Sequence, residues 1–463
     1  MKKSLIALAA LASVAGVAQA QSSVSLYGTL DVGVITMNHG NNGDSNTAST
    51  FSDLPGQKNT ARVTGMASSN LTPSKWGIKG LEDMGGGYKA SFTLESALNI
   101  NTGNNPNGRL NDSLPSSGTA YNNGEGSIQG QMFDREASVG LEGGFGSIKA
   151  GRMTTVMADT VGAYDPLGAS YAASPLGFNG GYSGAGFTGE GRWDNSLKYA
   201  KSFGAFNFNA GYKTAGTTGG VKQGQAYATA LEYAQSDWSV KVGYAANKDA
   251  IIAASGATAI CAAGSGVSCA TGYVGSVSGT PAAVVAGANV NNPALALTFA
   301  DTNALTIAGK YVLGSLTFKG GWEMITAKNP SHASYDTVSN YPQLNGIPVA
   351  SVNAGAYTTP RTQRMTWLGV NYQATPKVVL SAAAYQLDTA AYSGYSATMT
   401  TAGTGTSTAY TASKENVYGV TATYALSNRT KLYATGMDAR MSGSVWAGIP
   451  NMTTFSVGAV HSF

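Results

Sequence analysis

The end of the chain, from Met452 to Phe463, alternates between two kinds of side chain and finishes on an aromatic ring. One side of an extended segment carries Phe455, Val457, Ala459, His461 and Phe463, and the other side carries Ser456, Gly458, Val460 and Ser462. A period of two over about 10 residues, with an aromatic residue at one end, is typical of a strand that crosses an outer membrane. A soluble β-sandwich can also end on such a strand. The start of the chain and the number of similar strands therefore have to decide between the two.

The first 20 residues have the pattern of a secretory signal. Lys2 and Lys3 form a charged start, an almost wholly apolar stretch follows, and Ala18-Gln19-Ala20 is a small-residue cleavage site. We therefore predict a signal peptide at residues 1–20 and a mature chain, residues 21–463, that leaves the cytoplasm. No later apolar run has the length that a transmembrane helix needs.

The composition of the chain narrows its class. Charged residues make up 11%, against about 25% in a typical soluble protein. There are 61 Gly and 24 Tyr residues, which favours a barrel with lipid on one face and water on the other. The 28 basic and 24 acidic residues leave a balance of +2 once Lys2 and Lys3 are removed. That balance offers no basic stripe for binding nucleic acid.

Seven short turn signals divide the chain into pairs of β-patterned runs. They are Glu82–Gly87, Glu142–Gly146, Phe203–Ala205, Gln235–Asp237, Gly314–Ser315, Ala374–Lys377 and Ser427–Arg429. Seven hairpins, with a first run at Val24–Val34 and a last run at Thr453–Phe463, make sixteen strands. We therefore predict an all-β fold, a 16-stranded antiparallel transmembrane β-barrel.

Alternating side chains predict which face of each strand meets lipid. In the first run the apolar side is Val24, Leu26, Leu30, Val32 and Val34, and the other side is Ser25, Tyr27, Thr29 and Asp31. Near the end, Tyr418, Val420, Ala422, Tyr424 and Leu426 are predicted to face lipid, and Thr421 and Thr423 the lumen.

Long polar segments separate the hairpins, as expected for the outer loops of a barrel. They are approximately Thr36–Thr72, Asn101–Gly130, Thr154–Glu190, Thr214–Gly224, Lys248–Thr302, Lys328–Arg361, Thr389–Glu415 and Arg440–Asn451.

The third of these segments, Thr154–Glu190, is the best candidate for narrowing the channel. It carries Asp159 and Asp165, and the neighbouring strands carry Arg135, Arg152 and Arg192. Folded inward, it would set carboxylates opposite arginines, and the resulting transverse field would discriminate solutes by charge. The alternative is an ordinary surface loop with scattered charges.

Lysine is costly on the lipid-facing side of a strand, and this cost predicts that several basic residues face the lumen. Lys75 and Lys79 lie on one side of their strand, and Trp76 and Ile78 on the other. A lysine facing lipid near the midplane costs about 2–4 kcal/mol, so we expect Lys75, Lys79 and Arg135 to face the lumen. The alternative for each is a position at the rim, from which the charge reaches the headgroups.

Cys261 and Cys269 lie close together in a Gly- and Ala-rich stretch. In an oxidising periplasm they are expected to form a disulfide, and the alternative is two free thiols. No third or fourth ligand lies near them in the sequence, so no metal site is expected.

Two rival functions have to be considered. An outer-membrane enzyme needs a nucleophile and a base on one wall, but no histidine has a Ser or Asp partner at a suitable strand spacing. A substrate-specific channel needs an aromatic track or a binding pocket, and the tyrosine-rich strands make that a real alternative.

Five stretches, in order from one end of the mature chain to the other, resemble the general porins of Gram-negative bacteria, of the betaproteobacterial type. They are SSVSLYGTLDVGV at Ser22, SKWGIKGLEDMGGGYKASFTLES at Ser74, REASVGLEGGFGSIKAGRM at Arg135, RWDNSLKY at Arg192 and GAVHSF at Gly458.

The resemblance implies a homotrimeric general diffusion channel for ions and small hydrophilic solutes, without a cofactor. It implies that Lys75 and Arg135 line the constriction, with Asp159 or Asp165 opposite on the inward loop. The second loop, Asn101–Gly130, would then be a latch onto a neighbouring subunit. Outer-membrane lipid and lipopolysaccharide are the implied surroundings, and Phe463 is the implied signal for the barrel-assembly machinery.

Overall fold

A computed structural model describes residues 23–39, 62–103, 132–178, 191–214, 224–257, 294–331, 343–344, 347–353, 357–395, 407–442 and 451–463. The predicted signal peptide, Cys261 and Cys269, and most of the second loop lie outside these residues. In the described part of the chain, no helix is long and apolar enough to cross a membrane, a finding that has no bearing on a β-barrel.

The described residues form strands and two short helices. The strands are β1 (Ser23–His39), β2 (Val63–Ser68), β3 (Lys75–Gly85), β4 (Tyr88–Ala97), β5 (Glu136–Gly143), β6 (Gly146–Thr154), β7 (Arg192–Phe203), β8 (Phe206–Lys213), β9 (Ala226–Ala234), β10 (Trp238–Ala257), β11 (Ala294–Leu313), β12 (Leu316–Lys328), β13 (Gln343–Leu344), β14 (Ile347–Asn353), β15 (Arg361–Thr375), β16 (Val378–Thr389), β17 (Tyr392–Tyr395), β18 (Ser407–Tyr410), β19 (Ser413–Ala425), β20 (Thr430–Ser442) and β21 (Asn451–Ser462). The helices are α1 (Val156–Tyr164) and α2 (Pro175–Phe178).

Sixteen of these strands form one closed antiparallel barrel, as predicted. The wall runs through β1, β3 to β12, β15, β16 and β19 to β21, and β21 pairs with β1 along residues 29–39 of β1. Closure leaves no unpaired edge to face lipid, where an unsatisfied backbone group costs several kcal/mol. The short strand β2 pairs with the part of β1 that extends beyond β3.

The side chains of the wall alternate as the sequence predicted. Val24 and Leu26 are 70% and 62% exposed on the outside, whereas Asp31 is fully buried on the inner side. In β19 the outward-facing Tyr418 and Val420 are exposed, whereas Thr421, which faces the lumen, is buried. This pattern of an apolar outer face and a polar inner face is that of a transmembrane barrel.

All seven predicted turns fall between consecutive strands of the wall. The turn between β3 and β4 contains Gly85, Gly86 and Gly87, whose φ angles are 78°, 62° and 82°. Residues with a Cβ rarely adopt these angles, which explains why three glycines stand in a row.

The predicted outer segments contain more strand than expected. β10 and β11 continue to Ala257 and from Ala294, so the loop predicted to begin at Lys248 begins later. The strands β2, β13, β14, β17 and β18 also lie within predicted loops. The backbone pairing of β10 with β11 continues through these extensions, from Ala250 opposite Ala300 to Ala257 opposite Ala294.

The third outer segment folds into the barrel, as predicted. Its described part, residues 155–178, is called the inward loop below. Thr155 starts it by accepting a hydrogen bond from the backbone N–H of Ala158 at 3.1 Å, which caps α1. Val156, Met157 and Val161 are buried between the helix and the inner wall of β8 to β12.

A buried carboxylate fixes the chain just before β3. Asp31 accepts hydrogen bonds from the backbone N–H groups of Leu71 and Thr72 at 2.6 and 2.8 Å, and from the Tyr433 hydroxyl at 2.7 Å. Ser74 donates to the carbonyl oxygen of Asp31 at 3.1 Å. These contacts hold the segment that leads directly into Lys75.

Candidate pore constriction

Two basic side chains share one carboxylate on the inner wall. The Glu95 side chain, on β4, lies 2.9 Å from the Lys75 ammonium and 2.7 Å from Nε of Arg135. The Tyr27 hydroxyl donates to the same carboxylate at 3.0 Å. Glu95 is only 10% exposed, so its charge is compensated by the two bases rather than by water.

Lys79 extends this group along β3. Its Nζ lies 5.1 Å from the centre of the Tyr27 ring, within the range of a cation–π interaction. In register, Lys75 and Lys79 lie opposite Thr29 and Ser25, on the side of β1 that faces the lumen. Both lysines therefore lie on the inner wall, as the cost of placing them in lipid predicted.

The charged surface continues across the next strands. On β5, Glu136 accepts a hydrogen bond from Ser138 at 2.7 Å and lies 3.7 Å from the ammonium of Lys149 on β6. Lys149 is directly opposite Lys198 of β7, and Lys198 forms an ion pair with Asp159 in the first turn of α1. A continuous row of acidic and basic groups thus runs from β3 to the inward loop, with the two lysines Lys149 and Lys198 side by side within it.

The two acidic residues of the inward loop have different surroundings. The Asp159 side chain is 41% exposed and meets Lys198, so it lies at the edge of the opening. Asp165 is fully buried, and its oxygens accept from the Tyr385 hydroxyl and from the backbone N–H groups of Leu167 and Ala169. Burial raises the pKa of the Asp165 carboxyl, and these hydrogen bonds oppose that effect.

The expectation that Asp165 faces the arginines is therefore corrected. Asp165 follows the last turn of α1 and packs against the far wall, where it holds the turn that follows the helix. Of the two candidates, Asp159 is the one that the structure brings to the basic wall.

Arg152 and Arg192 also lie elsewhere than expected. Arg152 is opposite Ala137, on the same side of β5 as the exposed Val139 and Leu141, and it pairs with Asp194 at 2.6 Å. The Arg152 side chain is only 11% exposed, and its Nε donates to the carbonyl oxygen of the buried Asp134 at 2.6 Å, so these contacts hold it at the loop end of β6. Arg192 is buried where β7 begins, opposite Thr154.

The inward loop fills the half of the lumen opposite the charged wall. The indole N–H of Trp367 donates to the Tyr164 carbonyl at 3.0 Å, and the Asn371 amide donates to the Pro166 carbonyl at 2.7 Å. At Gly419 an added Cβ would lie 2.1 Å from the carbonyl oxygen of Ala173, so the loop backbone rests directly on β19. The opening that remains is bounded by this loop and by the charged residues of β3 to β7.

Sequence reasoning missed Glu95, Lys149 and Lys198. The signal was present, because Glu95 alternates with the apolar Phe92 and Leu94, and Lys149 follows the outward Ile148. Among the described residues, no group of three or more His, Cys, Asp or Glu could hold a metal ion.

Comparison with known proteins agrees with this geometry. A family model described as Gram-negative porin matches residues 7–444. An outer membrane porin protein of Bordetella pertussis is 32% identical over 200 residues, which is 43% of this chain and 44% of that relative, so the match spans less than half of the relative.

Solved structures share the fold. An anion-selective porin from Comamonas acidovorans superposes with a TM-score of 0.59 at 17% identity, over 96% of this chain and 100% of that one. The Vibrio cholerae outer membrane protein OmpT in its trimer form superposes with a TM-score of 0.53 at 13% identity, over 96% and 99%. Since the family model covers most of a chain that folds as a closed barrel, this chain belongs to the Gram-negative porin family.

Proposed function

We propose that the chain forms a water-filled channel across the outer membrane for ions and small hydrophilic solutes. The observation that carries this proposal is the charged inner wall from Lys75 to Lys198, which faces the opening left by the inward loop. Charged side chains at a narrow point raise the local concentration of oppositely charged solutes and slow solutes of like charge.

The alternative of a substrate-specific channel finds little support in the tyrosines. Such a channel needs aromatic rings along the lumen. Inside the barrel, Tyr164, Tyr385 and Tyr433 are buried, and their hydroxyls donate to carboxylates. Eight further tyrosines of the wall are exposed on its outer face: Tyr88, Tyr212, Tyr227, Tyr244, Tyr311, Tyr372, Tyr418 and Tyr424. Tyrosines in these positions form the aromatic girdles of a membrane barrel, so the general channel is the better reading.

The first prediction is that purified, folded protein produces stepwise, ohmic conductance in a planar lipid bilayer at low voltage. The physical reason is a continuous aqueous path between the inward loop and the charged wall. Heat-denatured protein is the control and should add no steps. Folded protein that inserts without conductance would contradict the proposal, and a current that saturates with one solute would favour the specific channel.

We also propose that the channel is a homotrimer in outer-membrane lipid and lipopolysaccharide, exported by a signal at residues 1–20 and inserted by the barrel-assembly machinery. Support for the trimer comes from the outer face of β1, β5 and β6. Exposed side chains there are aliphatic, among them Val24, Leu26, Val139 and Ile148. Aromatic belts mark the contact with the lipid interface. The exposed side chains of β5 and β6 include no aromatic ring, whereas the adjacent β4 exposes Tyr88 and Phe92, so β5 and β6 are the part of this face that suits contact between subunits.

The second prediction tests this face with a cysteine in a chain whose Cys261 and Cys269 are replaced by serine. Val139→Cys should be crosslinked to a neighbouring subunit by a short bifunctional thiol reagent, and unheated electrophoresis should show three chains. Val242→Cys is the matched control, because Val242 is a similar outward residue on β10 among the tyrosines. Equal crosslinking at both positions, or a stable monomer in mild detergent, would count against the trimer.

A further inference from the structure

A second pair of lysines lies on the inner wall, away from the charged surface described above. Lys310 of β11 and Lys319 of β12 are directly opposite each other. Lys310 shares its side of β11 with the buried Thr306 and Ala308, whereas Ile307 on the other side is exposed outward. Both lysines therefore face the lumen.

The position of the pair is toward the periplasmic end. Lys310 and Lys319 are each four residues from the turn Gly314–Ser315, about 13 Å at 3.3 Å per residue. Glu95 lies about twice as many residues from its own turn at Gly85–Gly87. Short turns of a barrel lie on the periplasmic side, so the lysine pair and the Glu95 group lie at different depths.

This lysine pair differs from the other one on the wall. Lys149 and Lys198 are also directly opposite, but each has a carboxylate, Glu136 in one case and Asp159 in the other. Within the described residues, neither Lys310 nor Lys319 has a carboxylate at ion-pair distance. Like charges that are directly opposite repel each other, and within the described residues no ion pair offsets this repulsion at β11 and β12.

Asp165 attracts Lys319 but forms no ion pair with it. Lys319 donates to the backbone carbonyl of Asp165 at 3.3 Å, so it lies where α1 ends. The carboxylate oxygens of Asp165 are engaged by Tyr385, Leu167 and Ala169 instead. Glu232 is cross-strand from Lys241 and accepts hydrogen bonds from Tyr164 and Asn207.

We propose that Lys310 and Lys319 form a binding station for small oxyanions on the periplasmic side of the inward loop. An anion with two or more oxygens, such as inorganic phosphate or a carboxylate, can accept from both ammonium groups and relieve their repulsion. The inference rests on the proposed channel function and adds a second site to it. An anion that passes the Glu95 group then meets a second attractive position before it leaves the pore.

The third prediction concerns block of chloride current by inorganic phosphate, added to one side of a bilayer at a time. In the unmodified channel phosphate should lower the conductance, and more strongly from the periplasmic side. Lys310→Gln should raise the half-blocking concentration about fivefold, and Lys310→Gln with Lys319→Gln about thirtyfold, as expected for losing one or two charges about 4 Å from the anion in water, each worth about 1 kcal/mol.

Control variants distinguish loss of the binding station from misfolding and from a general loss of positive charge. Lys310 makes no hydrogen bond within the described residues, so Lys310→Gln breaks no contact of the inward loop, and Lys310→Arg should retain the block. Lys377→Gln removes an exposed charge in the turn between β15 and β16 and should leave the block unchanged. If the unmodified channel conducts but phosphate does not block it, or if phosphate blocks Lys310→Gln equally well, the binding station is wrong and the channel stands. If the unmodified protein does not conduct at all, the proposed channel function is wrong.

Discussion

Replacing Lys75 and Arg135 with glutamine is expected to lower the ratio of anion to cation permeability about a hundredfold. Each positive charge favours an anion passing at roughly 6 Å in water by about 0.7 kcal/mol and disfavours a cation by the same amount, so two charges change the ratio by about 2.8 kcal/mol, and every 1.4 kcal/mol is a factor of ten. The double variant also leaves the Glu95 carboxylate without the two bases that now compensate it. A negative charge on the narrow part of the wall then attracts cations.

The reversal potential in a potassium chloride gradient measures this ratio. Glu95→Gln should move the reversal potential in the opposite direction, because it removes the negative charge that lies between Lys75 and Arg135. Lys377→Gln with Arg429→Gln is the matched control, since it also removes one lysine and one arginine, both exposed in short turns. A double variant at Lys75 and Arg135 with the same reversal potential as the unmodified channel would place these residues away from the path of the ions.

The fold was predictable from the sequence because its signals are local. Each strand has a period of two, and each short turn carries residues such as Gly, Asn, Asp or Pro that favour a turn. Both signals act within a few residues, so the seven turns and the sixteen strands were found without knowledge of distant contacts. Loop segments were less predictable, since the extension of β10 and β11 depends on pairing between residues some fifty positions apart.

The candidate site was only partly predictable, because it depends on register and on how the inward loop packs. The cost of a charge in lipid was enough to place Lys75 and Lys79 on the inner wall. It could not show that Lys75 and Arg135 share Glu95, which requires three strands in a particular register. Nor could it distinguish Asp159, in the first turn of α1, from Asp165, which packs under Tyr385 beyond the end of the helix.

The position of Arg152 was also not predictable from alternation along its strand. The strand β6 has Gly151 at φ 131° and shifts its register with β7 between Gly151 and Met153. Close to such an irregularity a count of alternate positions no longer gives the facing of a side chain. The position of Arg152 is set instead by its contacts with the Asp134 carbonyl and the Asp194 carboxylate, which alternation along β6 does not predict.

Deletion of Phe463 is expected to reduce the amount of assembled protein in the outer membrane at least tenfold. The last residue takes part in barrel closure, because its N–H donates to the Gly28 carbonyl at 3.1 Å and its carbonyl accepts from the Gly28 N–H at 3.2 Å. Its ring lies over Gly28, where an added Cβ would be 2.4 Å from the ring. The deletion removes both hydrogen bonds and uncovers the edge of β1, and an unsatisfied backbone group in lipid costs several kcal/mol.

The proposed role of Phe463 as an assembly signal is distinct from that of an ordinary aromatic residue in the lipid girdle, and Phe455→Ala separates the two. Phe455 lies on the same strand and the same outward side and is 53% exposed, against 42% for Phe463. If only girdle contacts matter, Phe455→Ala and Phe463→Ala should lower the level of surface-exposed protein by similar amounts. If the terminal ring is read during insertion, Phe463→Ala should accumulate in the periplasm while Phe455→Ala and Phe463→Tyr assemble, and the few Phe463→Ala barrels that do form should conduct normally. Wild-type levels of surface-exposed trimer from the Phe463 deletion would falsify the assembly role, because the seam with Gly28 would then close without its last residue.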